Sequence, residues 1–148
     1  MPEKRTVKAA RKAKRQGKAP STQAGAFVHE EIEHIREGKH GARSAKQAIA
    51  IGLSKARRAG VALPPPAKGT ASSETRKAAA RDLTKAKHGY KPSPKRSKAA
   101  SRKLRHEGHS GASSTALARH AKAVARTRTK KDRSAQAKRA ARTRRSHR

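Results

Sequence analysis

Bulky apolar residues are few in this 148-residue chain, and where they fall limits what it can fold into. Leu, Ile, Val and Phe together number fourteen, under a tenth of the residues. Nine of them (Phe27, Val28, Ile32, Ile35, Ile49, Ile51, Leu53, Val61 and Leu63) lie between Ser21 and Leu63. Only that stretch can build a core. A chain this poor in bulky side chains and this highly charged is ordinarily disordered. Thirty-one alanines supply most of the remaining apolar count. Alanine loses no side-chain entropy in a helix but buries little surface, so helices are expected without a large core.

Charge is distributed in the opposite sense. The chain holds 41 Lys or Arg against nine Asp or Glu, a formal net charge of +32. Residues 21–63 carry seven bases and four acids and net only +3, whereas residues 1–20 net +7 and residues 64–148 net +22. The expected layout is therefore a basic N-terminal arm (1–20), a near-neutral helical mini-domain (21–63), a Pro-rich linker (64–72) and a basic Ala/Lys/Arg-rich tail (73–148). The fold class is all-α: a small helical hairpin with flanking basic arms that are conditionally helical or disordered, frayed or disordered when free and helical when bound to a polyanion.

The hairpin is read from periodicity and punctuation. Ser21 is placed to cap a first helix on which Ala24, Phe27, Val28, Ile32 and Ile35 recur on one face, and Gly38 ends it. Ser44 and Gln47 form a capping-box pair that opens a second helix, Gly60 stops it, and Val61 folds back on its last turn. Pro64, Pro65 and Pro66 cannot continue a helix. On the second helix Ala45, Ala48, Ile49, Gly52, Leu53 and Ala56 share a face from which Ile51 points away. Two helices alone bury too little to be stable, so a third element or a second copy is expected to cover Ile51, the candidate oligomerisation residue. In the tail, Ser73 to His88 and the segment opened by Ser93-Pro94 carry helix start and stop signals. From Ser114 onward no Gly or Pro interrupts one helix or two.

A charge of this size repels itself unless a polyanion neutralises it. A membrane-surface helix needs a bulky apolar face; here there is no Trp and one Phe, and alanine stands where leucine is required. Nucleic acid remains the expected partner, with duplex DNA first. The cations expected to meet phosphates are Lys95, Arg96, Arg102, Arg105, Arg126, Arg128, Lys130, Lys131, Arg139, Arg142, Arg144 and Arg145. Each phosphate neutralised releases a condensed counterion. Nothing in their spacing encodes a base, so sequence-tolerant binding is expected. RNA binding is the alternative, and a protein-docking adaptor held on nucleic acid by its tails is another. Ser93-Pro94-Lys95-Arg96 matches a pattern of linker-histone tails, although a helix cap is the simpler role.

Other chemistries are poorly provided for. There is no cysteine, hence no disulfide or thiolate metal site. His29, Glu30, Glu33 and His34 have the spacing H-E-x-x-x-H, which puts the imidazoles on different faces, so no metal and no cofactor is expected. A helix-turn-helix using Lys46, Gln47 and Ala50 is disfavoured by its long connection and by the acidic first helix (Glu30, Glu31, Glu33, Glu37). The aromatic pair Phe27 and Tyr90 makes no stacking platform of the kind single-strand binders use, and no nucleophile or acid–base constellation marks an enzyme. Without an apolar leader or spanning window, a cytoplasmic, nucleoid location is expected.

The stretch FVHEEIEHIREGKHGARSAKQAIAIGLSKARRAGVALPPP, above all Lys46–Gly60, resembles a family of small, highly basic bacterial proteins of unassigned function, often labelled DNA-binding or plasmid-stabilisation proteins. The segment from Ser93 to Thr127 and the final AKRAARTRR are similar to that family's repetitive C-terminus. The resemblance implies a nucleoid-associated, histone-like role.

Overall fold

Two helices can cross closely only where one of them lacks a side chain, and Gly52 provides that point. A computed structural model describes residues 2–89, 91 and 93–146; Tyr90 lies outside them. Seven α-helices form among the described residues: α1 (Lys4–Arg15), α2 (Pro20–Arg36), α3 (Ala45–Arg58), α4 (Ser73–Lys87), α5 (Pro94–Arg105), α6 (Ser114–Thr127) and α7 (Lys130–Arg145). A 3-10 turn spans Ser110–Ala112, and no strand forms among the described residues. Where α2 meets α3, a Cβ on Gly52 would stand 2.7 Å from Val28 Cα. Any side chain there forces the helices apart.

The expected hairpin is present as α2 and α3, with differences at its caps. α2 begins at Pro20, preceded by Ala19, so Ser21 is not its cap. Proline at the first helical position has its φ preset and lacks an N–H that would go unpaired there. Ser44 accepts from Gln47 N–H at 3.2 Å as expected, but the Gln47 side chain reaches past it to Arg43 N–H at 2.9 Å. Gly60 adopts φ +92°, and Val61 N–H returns to Ala56 O at 3.1 Å.

The core is in two clusters. One joins Ala10, Ala24, Phe27, Ala56 and Val61, with Val7, Leu53 and Leu63 packed against it. The other joins Ile35, Ala42, Ala48 and Ala112, with Ile32 beside it. Small residues line the inner face of α3, where Ala45, Ala48, Gly52 and Ala56 are buried and Ile49 and Leu53 only half-buried.

Three additions turn the hairpin into a larger body, and each corrects the layout read from sequence. Residues 4–15 are not a free arm but a helix docked on α2. Thr6 and Ala10 are buried there, Glu3 N–H donates to Glu30 Oε2 at 3.1 Å, and Glu3 Oε1 lies 3.0 Å from His34 Nε2. Next, α4 packs on α3: Ala79 is buried, and Ser54 Oγ donates to Asp82 Oδ2 at 2.5 Å. Last, the end of α5 returns to the α2–α3 loop. Gly41 N–H donates to Leu104 O and Ala42 N–H to Gly108 O, each at 2.8 Å, and Arg36 Nε donates to Ala112 O at 3.0 Å. A Cβ on Gly41 would stand 1.8 Å from Glu107 O, so the strands of chain touch backbone to backbone. Residues 104–112 therefore belong to the body and not to the tail. Local periodicity says nothing about partners distant in the chain, so the docking of α1 and the return of α5 are not legible from it; the orientation of Ile51 calls for a third element or a second copy on α3 without saying that α4 packs there.

The rest of the tail is helical along its described length. α6 touches the 3-10 turn and α3; among the described residues neither α5 nor α7 packs on another helix, and α5, α6 and α7 bury no residue. The break between α6 and α7 falls at Arg128 and Thr129, both extended, and Thr129 and Asp132 cap α7 reciprocally.

Candidate nucleic-acid interface

Helical periodicity arranges the tail cations in stripes. On α5, Lys95, Lys98, Arg102 and Arg105 recur at i, i+3, i+7 and i+10, one face of the helix. On α6, Arg119, Lys122 and Arg126 do the same, with Leu117, Ala121 and Val124 on the other side. On α7 the stripe is Lys131, Lys138, Arg142 and Arg145. At 1.5 Å per residue the α5 stripe is about 15 Å long. One strand of duplex DNA passes a phosphate every ~3.4 Å of axis, so about four phosphates run past its four cations.

These charges are unopposed. Residues 91–146 contain nineteen Lys or Arg and two acids, Glu107 and Asp132. All nineteen cations are exposed, including the twelve expected at the interface. None of the nineteen lies within ion-pair distance of an acid among the described residues. Arg128 Nη1 donates to Gln136 Oε1 at 2.5 Å, and Asp132 is occupied in capping. The Thr129 hydroxyl and then its amide hold the Asp132 carboxyl below the ordinary aspartate value.

In the body a subset of the charges is paired. Glu3 pairs with Arg5, Glu33 with Arg36, Glu37 with Lys39, and Asp82 with Arg58. The hydrogen bond from Lys39 lowers the Glu37 carboxyl, and the same contact raises the Lys39 ammonium. Arg57, 6% exposed, donates from Nε to Leu63 O and from Nη2 to Pro64 O, which ties the proline exit to α3. Burial pushes its guanidinium down, and the Asp82 charge acts the other way. Arg57 is thus spent inside the body, whereas Arg5, Arg36, Lys39 and Arg58 are paired at the surface, and Lys4, Lys8, Arg11, Lys12, Lys14 and Arg15 of α1 are exposed with no ion pair among the described residues.

The remaining sequence-derived candidates fall as follows. Ser93 stands at the N-cap of α5 with Pro94 in the first turn, but its side chain makes no cap hydrogen bond. Ile51 is half-buried and lies one turn before Ser54, whose hydroxyl bonds to Asp82 of α4. Lys46 and Ala50 are exposed, but residues 37–44 separate α2 from α3, well beyond the three or four residues of a helix-turn-helix. His29 is exposed.

A different group of histidines is brought together. Glu31, His34 and His40 converge at the end of α2, with Lys55 of α3 against Glu31 Oε2 and His40 Nε2 3.1 Å from Glu31 Oε1. Glu31 is fully buried and Glu30 is 3% exposed, although acidic side chains are almost always outside. The signal in the sequence is Glu31-x-x-His34, an i, i+3 pair on one helix face, which the attention paid to His29 overlooked.

No family model, no curated protein and no solved structure matches the chain. No helix among the described residues is long and apolar enough to cross a membrane.

Proposed function

We propose that this chain binds nucleic acid, duplex DNA before RNA, by neutralising phosphates along α5, α6 and α7 without reading sequence, and that it compacts DNA as a nucleoid-associated protein. The observation that carries the reading is the set of nineteen exposed cations in residues 91–146, none paired with an acid among the described residues. A solvated surface needs only scattered charges of both signs, whereas stripes of one sign at helical spacing fit a polyanion. The groove beside Phe27 and Val61 is itself edged by the cations Arg11 and Lys14.

The test is the salt dependence of affinity, measured by fluorescence anisotropy on unrelated duplexes of equal length. Log affinity falls linearly with log salt at a slope of about −0.9 per phosphate contacted. Six to ten contacts lower affinity roughly 10³–10⁵-fold between about 50 and 200 mM salt. A slope near zero refutes the mechanism. Cellular crosslinking that recovers mainly ribosomal RNA transfers the reading from DNA to RNA.

A further inference from the structure

The cluster at the end of α2 has chemistry that phosphate binding leaves unused. Glu31 and His34 leave one face of α2, and His40 reaches the same point from the loop after Gly38. One ligand atom from each of the three lies within 4.8 Å of the others. The Glu31 carboxylate is fully buried, and neither oxygen has a partner of hydrogen-bond geometry. The charges facing it are the Lys55 ammonium at Oε2 and the His40 ring at Oε1.

His40 is oriented by its other nitrogen. Nδ1 lies 3.2 Å from Gly41 O, and a carbonyl only accepts, so Nδ1 carries a proton. In the neutral ring Nε2 then turns its lone pair to Glu31 Oε1, 3.1 Å away. Two acceptors at that separation require a positive centre between them: a proton, carried by the ring or by the carboxyl, or a metal ion. A tetrahedral zinc site with bonds of about 2.0–2.2 Å has ligand atoms ~3.4 Å apart, close to that separation. Metal-bound imidazoles characteristically donate their other N–H to a carbonyl or carboxylate. His40 has Gly41 O in that place; on His34, Glu3 Oε1 lies 3.0 Å from Nε2, which would leave Nδ1 as the ligand atom.

We infer that Glu31, His34 and His40 bind a divalent transition-metal ion, with a fourth position open to water. Two imidazoles and one carboxylate fit zinc; the oxygen donors are too few for calcium or magnesium. Lys55 stays on Oε2 and fixes the carboxylate, leaving Oε1 for the metal. The ion would join α2, the α2–α3 loop and, through Lys55, α3. The inference is independent of whether the tail binds DNA.

The test is calorimetric titration of the full chain with Zn2+, repeated with Co2+ as a visible-absorption probe. One tight equivalent is expected, with Co2+ bands of a four- or five-coordinate site. His34→Ala and His40→Ala each weaken binding by about tenfold or more, while His29→Ala, an exposed histidine of the same helix, changes nothing. Because His40→Ala can itself loosen the loop, the unmodified chain is also followed by nitrogen NMR: the His34 and His40 ring signals move first as Zn2+ is added. The inference is overturned if no stoichiometric site exists, if both alanine variants bind as the unmodified chain does, or if other histidines such as His106 and His109 respond first.

Discussion

In the body, Ala24, Ala42, Ala48, Ala56 and Ala112 are completely buried, whereas on α5, α6 and α7 every alanine is exposed save the half-buried Ala116 and Ala135. The residue is the same and its task differs. In the body a methyl group lets backbones approach, as they do where Gly52 meets Val28, and a core forms with one phenylalanine. In the tail a methyl group supplies helix propensity without an apolar face, so nothing draws the cations toward a core. Packing and charge presentation are thus divided between two regions of similar alanine content, and what divides them is the company the alanines keep: Phe27, Ile35 and Val61 in one, unpaired Lys and Arg in the other.

The contrast is most exposed to failure through charge. Replacing Lys95, Lys98, Arg102 and Arg105 by Gln removes up to four phosphate contacts and should lower the log–log salt slope on duplex DNA by about 3 to 4. The same replacement of Arg5, Arg36, Lys39 and Arg58, which are committed to Glu3, Glu33, Glu37 and Asp82, should leave the slope nearly unchanged. Equal losses from both sets would erase the distinction between the regions.

Phe27→Ala tests the core side of the comparison. It removes the largest fully buried side chain and should cost about 3–5 kcal/mol, read as a lowered midpoint in thermal unfolding. Ala56→Leu and Ala99→Leu sharpen it further. The first overfills a site with no exposed surface and should cost about 1–3 kcal/mol, while the second, on an open face of α5, should stay within about 0.5 kcal/mol. A comparable loss at Ala99 would mean that α5 is packed in solution.

The smallest expected effect is at the start of α7. Asp132→Ala removes the reciprocal cap with Thr129 and should reduce far-ultraviolet helix signal while the unfolding midpoint of the body stays put. Acid should do the same. A carboxyl lowered by folding stabilises fully above its unfolded value and loses that contribution as pH falls through the lowered one. The α7 signal should therefore hold from neutral pH down to about 4 and decline below that.

What could be read from sequence was local. Ser44 with Gln47, Gly60 with Val61, and Ser93 with Pro94 each act within one turn, so their residues announce the helix boundary they make. The all-helical class followed from the same signals. The body beyond the hairpin did not, because its extra contacts depend on pairs far apart in the chain: Val7 and Ala10 against Phe27, Asp82 against Ser54, Leu104 against Gly41. The stripes of the candidate interface were legible as charge, since exposed cations need no partner to be placed. Burial of Glu31 was not, because the residue type points outward and only the arrival of Lys55 and His40 makes its position tenable.

The contact of Gly41 with Leu104 also dictates an order of assembly. It closes a loop of about sixty residues, and the entropy of closing a loop rises with the logarithm of its length. The cluster of Ile35, Ala42 and Ala48 is sealed by Ala112. On a ribosome, α1 to α3 emerge first and keep one side of that cluster bare until α4, α5 and the 3-10 turn have been synthesised. The half of the core around Phe27 can set early; the half around Ile35 sets late, after most of the α5 charge is already outside, so a nascent chain can meet a polyanion before its own body is closed.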